Sequence, residues 1–136
     1  MNNIEKVNEF LTQAGTFYLT TMDGDKPKCR PIGFHLVNGD KLYFGVGAFK
    51  EVYKQMQINP NVEVCATVGK EFLRYYGKAV FETDYSIAEK VLANAPGLQK
   101  VYNEQTGYKL GIFHLESATA EFRTMLGIKE SIQFDQ

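Results

Sequence analysis

The chain has 136 residues, of which 44% are hydrophobic, and its formal net charge is -1. This length and composition predict one domain over residues 1–136 with a single core. The near-neutral charge and the dispersed basic residues argue against nucleic acid or a membrane surface as a partner.

The first fifteen residues lack the charged and apolar regions of a secretion signal, and no apolar run approaches membrane-spanning length. Two cysteines, Cys29 and Cys65, are too few for a disulfide framework, which makes buried free thiols the expectation. Together these features predict a cytoplasmic protein.

Ile4, Val7 and Leu11 recur at helical spacing and Gly15 supplies a stop, which predicts a helix over residues 3–14. Three strand-like runs follow, separated by the turn signals "DGD" and "NGD": TFYLTTM, KCRPIGFHLV and KLYFGV. Because their connections are short, we expect these strands to form an antiparallel meander.

A second helix is predicted over residues 50–58, ending before Asn59-Pro60. The runs NVEVCATVG and EFLRYYGKAVFET predict two further strands, the second with a bulge or close approach at Gly77. Residues 85–104 favour a helix broken at Pro96-Gly97, and GIFHLESATAEFRTM predicts one long or two short strands. About six strands with marginal helices indicate a mainly β protein built as a small antiparallel barrel.

The run "FGVGAFK" at residues 44–50 places two glycines and a lysine ahead of the second helix. It matches neither a P-loop, which needs glycine before and Ser/Thr after the lysine, nor the dinucleotide fingerprint. Gly45 and Gly47 would let backbone amides approach a ligand, and Lys50 at a helix N-terminus favours an anion. A plain glycine turn followed by a solvated lysine stays open as an alternative.

Arg30 lies in the middle of a predicted strand, one hairpin away from this glycine loop. A buried arginine needs an acid or a phosphate as partner. Arg30 and Lys50 are therefore candidates to converge on one anion, the alternative being that Arg30 points to solvent.

Other sites are weakly indicated. His35 and His114 lack metal-ligand spacing, so no metal site is predicted, and no serine or cysteine sits in a nucleophile motif. The aromatic run "FLRYYG" fits a core and an interface, with stacking on a planar ligand as the alternative. The catalytic residues stay unknown at this level.

The ordered set of features resembles the pyridoxamine 5'-phosphate oxidase-like FMN-binding split-barrel superfamily. The resemblance covers roughly residues 5–127 and is carried by "KCRPIGFHLVNGDKLYFGVGAFKEVYKQMQINPNVEVCA" and "FLRYYGKAVFETD". It is nearest to the short members, including those grouped with nitroimidazole-resistance reductases.

The resemblance implies a six-stranded split barrel that forms a homodimer with FMN at the interface. By position, Arg30 and Lys50 would hold the FMN phosphate. The flavin ring would lie along the backbone of Arg30, Pro31, Ile32 and Gly33, and the ribityl chain and phosphate near Gly45, Val46 and Gly47. The partner subunit would contribute a strand with Phe72, Arg74 and Tyr75.

Two departures from the oxidases matter. Phe72 stands where they have a glutamine, and the chain has no tryptophan and no Arg-x-His element near its end. Synthesis of pyridoxal phosphate is therefore not expected.

The function predicted on this basis is an FMN-dependent oxidoreductase that passes electrons from a nicotinamide to a small planar, nitroaromatic-like acceptor. His35 and Tyr75 are candidate proton donors. One alternative is a flavin-binding electron carrier without its own substrate. Another is a haem-binding relative in which His35 or His114 ligates the iron.

Overall fold

The structure is a computed structural model and describes residues 1–134. It is mainly β with short helices, as the sequence predicts. The helices are α1 (Asn3–Ala14), α2 (Glu51–Ile58), α3 (Ser86–Ala93) and α4 (Pro96–Gln99). The strands are β1 (Phe17–Asp23), β2 (Lys26–Ile32), β3 (His35–Asn38), β4 (Lys41–Gly47), β5 (Asn61–Val68), β6 (Glu71–Phe81), β7 (Leu110–Thr124) and β8 (Gly127–Gln133).

The predicted second strand, residues 28–37, is in fact two strands, so the predicted meander is wrong. β2 pairs with β1 while β3 pairs with β4, and both pairs are antiparallel. Pro27 and Pro31 lack an N–H for a second neighbour, which suits β2 to the edge of a sheet. The chain changes partner at Gly33-Phe34, between the two hairpins.

This change of partner forces the sheet to curl. The strand order is β2-β1-β5-β6-β7-β4-β3, with β8 also paired to β7, so β2 and β3 lie at opposite ends of the path. Only Gly33 and Phe34 connect them, a link that spans no more than about 11 Å between the flanking Cα atoms. The ends of the sheet must therefore meet, which gives a barrel split between β2 and β3.

The second half of the sheet carries the longest strands. β5 alternates as predicted, with Val62, Val64 and Ala66 buried. The pairing of β6 with β7 shifts register between Tyr76 and Lys78, which confirms the predicted irregularity at Gly77. β8 was not predicted, and the described residues hold eight strands rather than six; its sequence GIKESIQ is largely polar and exposed.

Two helices pack against the core of the barrel. α1 begins with Asn2, whose side chain accepts from Glu5 N at 2.9 Å, and inserts Val7 and Leu11 into the core. α2 contributes Val52 and Met56 to the same core from beside the β4 end. No helix among residues 1–134 is long and apolar enough to cross a bilayer.

The cysteines are both free, but their predicted burial holds only in part. Cys29 is exposed on β2 and Cys65 is half-buried on β5. Burial, reinforced by the charge of Glu63, raises the pKa of Cys65, so its thiol stays protonated near neutral pH.

Candidate functional site

An open cleft of about 530 Å³ lies where the end of β2 meets the end of β4. The connection between the two hairpins, Gly33-Phe34, forms its floor, and α2 and the segment after α3 form its walls. The cleft is lined by Arg30, Pro31, Ile32, Gly33, Phe34, Gly45, Val46, Gly47, Lys50, Val52, Ala95, Gly97, Leu98 and Tyr102.

Most of the residues singled out in the sequence come together in this cleft. Eight of the eleven predicted cofactor-binding residues line it: Arg30, Pro31, Ile32, Gly33, Gly45, Val46, Gly47 and Lys50. They arrive from two hairpins that are not neighbours along the sheet path. The curling of the sheet, and not strand adjacency as predicted, is what joins them.

Arg30 lies on the inner face of the edge strand β2, opposite buried Leu19. The guanidinium donates to Leu19 O at 3.1 Å and Thr21 Oγ1 at 2.7 Å through Nη1, and to Gln55 Oε1 at 3.2 Å through Nη2. Burial lowers the pKa of Arg30, although an arginine keeps its charge at neutral pH. No carboxylate among residues 1–134 neutralises it, so a half-buried positive charge faces the cleft.

Lys50 is the N-cap residue of α2 and is exposed. Its ammonium lies over the Phe49 ring, 5.9 Å from the centroid, and forms no ion pair within the described part of the chain. Helix α2 begins next to it and contributes Val52 to the cleft wall. The first N–H groups of a helix have no intrahelical acceptor and favour an anion. Two cations and a helix N-terminus thus line one cleft.

Glycines keep the cleft open. A Cβ on Gly33 would meet no atom within 4 Å, so this position faces free space that a side chain would fill. A Cβ on Gly47 would approach Phe49 Cε1 to 2.8 Å and the Tyr102 hydroxyl to 3.0 Å. Glycine at these two positions keeps the cleft open and lets its aromatic wall pack closely.

Sequence reasoning missed Thr21 and Gln55. Thr21 is fully buried, and its hydroxyl donates to Gln55 Oε1 at 2.6 Å while accepting from Arg30. Residues alternate between the two faces of β1, and Thr21 shares the inward face with Leu19. The alternation in the sequence could therefore have indicated that Thr21 is buried. Nothing in the sequence around Gln55 indicated its contact with a residue 25 positions away.

The sequence model of the pyridoxamine 5'-phosphate oxidase family matches residues 4–121, which is most of the chain. The chain belongs to the pyridoxamine 5'-phosphate oxidase family. No match is found among curated proteins.

Solved structures agree with this assignment. A NimC/NimA family protein from Clostridium acetobutylicum is 25% identical with a TM-score of 0.86, and the match covers 98% of this chain and 95% of that one. General stress protein 26 from Bacillus anthracis is 19% identical, with a TM-score of 0.71 and coverages of 98% and 100%. A heme binding protein from Mycobacterium smegmatis is 12% identical, with a TM-score of 0.67 and coverages of 99% and 58%. The last two likenesses concern the fold alone.

The strand expected to reach the flavin from a partner, β6, lies away from the cleft of its own chain. Phe72 and Arg74 are partly exposed on the outer face, where Arg74 forms a bidentate pair with Glu63 at 2.6 and 2.8 Å. This pair raises the pKa of Arg74. Tyr75 points the other way, into the core, with 2% exposure. Its side chain is therefore not presented on the surface of its own chain, and its contact with the flavin and its role as a proton donor stay predictions.

Neither histidine lines the cleft. His35 is half-buried on β3, bonded through Nδ1 to Asn8 Oδ1 at 2.6 Å, and burial lowers its pKa. His114 is buried on β7, with Nε2 bonded to Glu116 at 2.9 Å. Its Nδ1 lies 3.4 Å from Glu82 Oε1 and has no hydrogen-bond partner among residues 1–134. His35 therefore supplies no proton donor to the lining of this cleft, and neither histidine supplies it with a ligand for haem iron.

Proposed function

We propose that this family member binds FMN in the cleft and acts as an oxidoreductase on a small planar acceptor. The observation that carries the proposal is that Arg30 and Lys50, which come from separate hairpins, both line one cleft beside the start of α2. A phosphate monoester is the ligand that suits two cations and a helix N-terminus.

The rest of the cleft fits the remainder of FMN. Apolar side chains from Ile32, Phe34, Val46 and Leu98 line it, which suits a flat aromatic ring system. The free space at Gly33 allows a ligand to lie against the backbone of the Gly33-Phe34 connection. The volume of the cleft lies within the range of small-molecule sites.

The roles of the residues follow from these positions. Arg30 and Lys50 bind the phosphate, Gly33 lets the ligand approach the backbone, and Leu98 and Tyr102 shield one side from water. Bound FMN would supply the electron-transfer chemistry, and the protein supplies position, charge and desolvation. No titratable side chain in the cleft is assigned as a proton donor.

A nicotinamide as electron donor and a nitroaromatic-like compound as acceptor complete the proposal. The sequence resemblance to the nitroimidazole-resistance group and the 25% identity to a NimC/NimA family protein support this class of acceptor. Pyridoxal phosphate synthesis is not proposed, because Phe72 replaces the glutamine of the oxidases and the chain has no tryptophan.

Anaerobic reduction tests the activity. We expect a reduced nicotinamide to bleach the flavin bands of the FMN-loaded protein, and a nitroaromatic to restore them. Bleaching that no small acceptor reverses would indicate the electron-carrier alternative. If no reduced nicotinamide bleaches the flavin bands, the proposed electron donor is contradicted.

We further propose a homodimer with the flavin at the interface. The outward Phe72 and the Glu63–Arg74 pair support this arrangement, since they lie on an exposed sheet face and not in their own chain's cleft. Light scattering of the FMN-loaded protein is expected to give twice the chain mass. A monomer with bound flavin would contradict the interface site.

Filling the free space at Gly33 should block the ligand without harming the fold. We expect Gly33→Val to raise the dissociation constants for FMN and riboflavin together by roughly tenfold or more, because its side chain would occupy the cleft. Flavin fluorescence titration measures both constants, and thermal unfolding shows whether the fold is kept. Gly97→Ala, a second cleft glycine with free space around it, is the milder control. Unchanged affinity in Gly33→Val would place the flavin elsewhere.

A further inference from the structure

The hydrogen bonds of Arg30 within the protein use the donors at only one end of its guanidinium group. A guanidinium has five N–H groups, and three of them are committed to Leu19 O, Thr21 Oγ1 and Gln55 Oε1. All three come from Nη1 and Nη2, at the far end of the side chain. The Nε–H and one Nη2–H have no partner among residues 1–134, although Arg30 lines the cleft.

These two free donors form the side edge of the guanidinium, which matches a pair of oxygen atoms. The same edge of Arg74 shows this match, because its Nε and Nη2 bind both carboxylate oxygens of Glu63, at 2.6 and 2.8 Å. In Arg30 that edge is left for a ligand, and the protein holds the other three N–H groups, two on Nη1 and one on Nη2.

The holding group is a closed three-residue network. The Thr21 hydroxyl accepts from Arg30 and donates to Gln55 Oε1 at 2.6 Å, and Gln55 Oε1 also accepts from Arg30. Its members come from β1, β2 and α2, so it fixes the guanidinium to the neighbouring strand and to the helix beside the cleft. Thr21 is fully buried, and its hydroxyl rotor is therefore set by these two partners.

We propose that Thr21 and Gln55 are positioning residues, which orient the guanidinium of Arg30 so that its side edge binds a phosphate monoester with two hydrogen bonds. The inference rests on the proposed function for the identity of the ligand. A flexible arginine would lose rotamer freedom on each binding event, whereas one held in place has already lost it. The network thus adds affinity for the phosphate alone and none for the flavin ring.

Comparing FMN with riboflavin, which lacks the phosphate, tests whether the network contributes affinity for the phosphate alone. We expect Thr21→Val to raise the dissociation constant for FMN about tenfold, since one acceptor of a charged donor is lost, and to leave that for riboflavin unchanged. Thr21→Ser keeps the hydroxyl and should restore FMN binding. Gln55→Met should act like Thr21→Val, with Gln57→Met on the exposed face of the same helix as control. Equal losses for FMN and riboflavin, or no loss for FMN, would overturn the positioning role.

A second measurement needs no flavin. In ¹⁵N-labelled protein, the Nε and Nη signals of Arg30, assigned with Arg30→Lys, report whether the guanidinium rotates freely. We expect resolved Nη signals in the wild type and Thr21→Ser, and averaged signals in Thr21→Val. Identical signals in wild type and Thr21→Val would overturn the proposal even if FMN binds. Conversely, resolved wild-type signals that average in Thr21→Val, in a protein that does not bind FMN, would support the positioning and refute the proposed cofactor.

Discussion

Replacing Arg30 with alanine is expected to raise the dissociation constant for FMN by roughly ten- to hundredfold. Hydrogen bonds to charged groups contribute about 1.5–3 kcal/mol each, and 1.4 kcal/mol corresponds to a factor of ten. Arg30 contributes half-buried charge from the edge strand, with no carboxylate of the described chain to neutralise it. Riboflavin lacks the phosphate, so its affinity should stay unchanged.

Two further variants sharpen this result. Arg30→Lys keeps the charge but loses the planar pair of donors, and we expect an intermediate affinity for FMN. Lys28→Ala removes an exposed charge from the same strand, two residues away, and should leave both ligands unaffected. A loss in Lys28→Ala as large as that in Arg30→Ala would show that only the general charge of β2 matters.

Gly77→Ala should lower the free energy of unfolding by about 3 kcal/mol, an effect at the upper end for overpacking. A Cβ at this position would lie 2.8 Å from Glu116 O and 2.9 Å from Ala118 Cα. Both atoms are backbone of β7, the strand that pairs with β6 and β4 and also holds β8. Because the neighbours are not flexible side chains, the register of the sheet must change to relieve the contact.

Chemical denaturation followed by fluorescence or circular dichroism measures this effect. Gly97→Ala is the matched control, since a Cβ there meets nothing within 4 Å and its helical position favours alanine. We expect its unfolding free energy to equal or exceed that of the wild type. If Gly77→Ala unfolds like Gly97→Ala, the bulge is not held by close backbone packing.

The sequence predicted the elements better than their pairing. The 3.6-residue spacing of Ile4, Val7 and Leu11 and the alternation of β5 are local patterns, and both were confirmed. The three-strand meander was wrong because a short connection does not reveal that the chain changes partner at Gly33. β8 escaped notice because only Ile132 of that strand is buried.

The candidate site shows the same division. Arg30 and Lys50 were found because a charge within a strand and a lysine before a helix are unusual locally. Their proximity depends on the curled sheet, and the contact of Gln55 with Arg30 depends on the packing of α2, neither of which leaves a local pattern. The inward direction of Tyr75 was available from strand alternation, since Arg74 on the outer face fixes its neighbour to the inner one.

The absorbance spectrum of the purified wild-type protein, with mass spectrometry of the molecule it releases on denaturation, tests the central claim most directly. We expect a yellow protein with flavin absorption bands and a released mass equal to that of FMN. The bands should be weaker in Arg30→Ala prepared in the same way. A Soret band with released haem, or a colourless wild type that takes up no FMN on addition, would contradict the account.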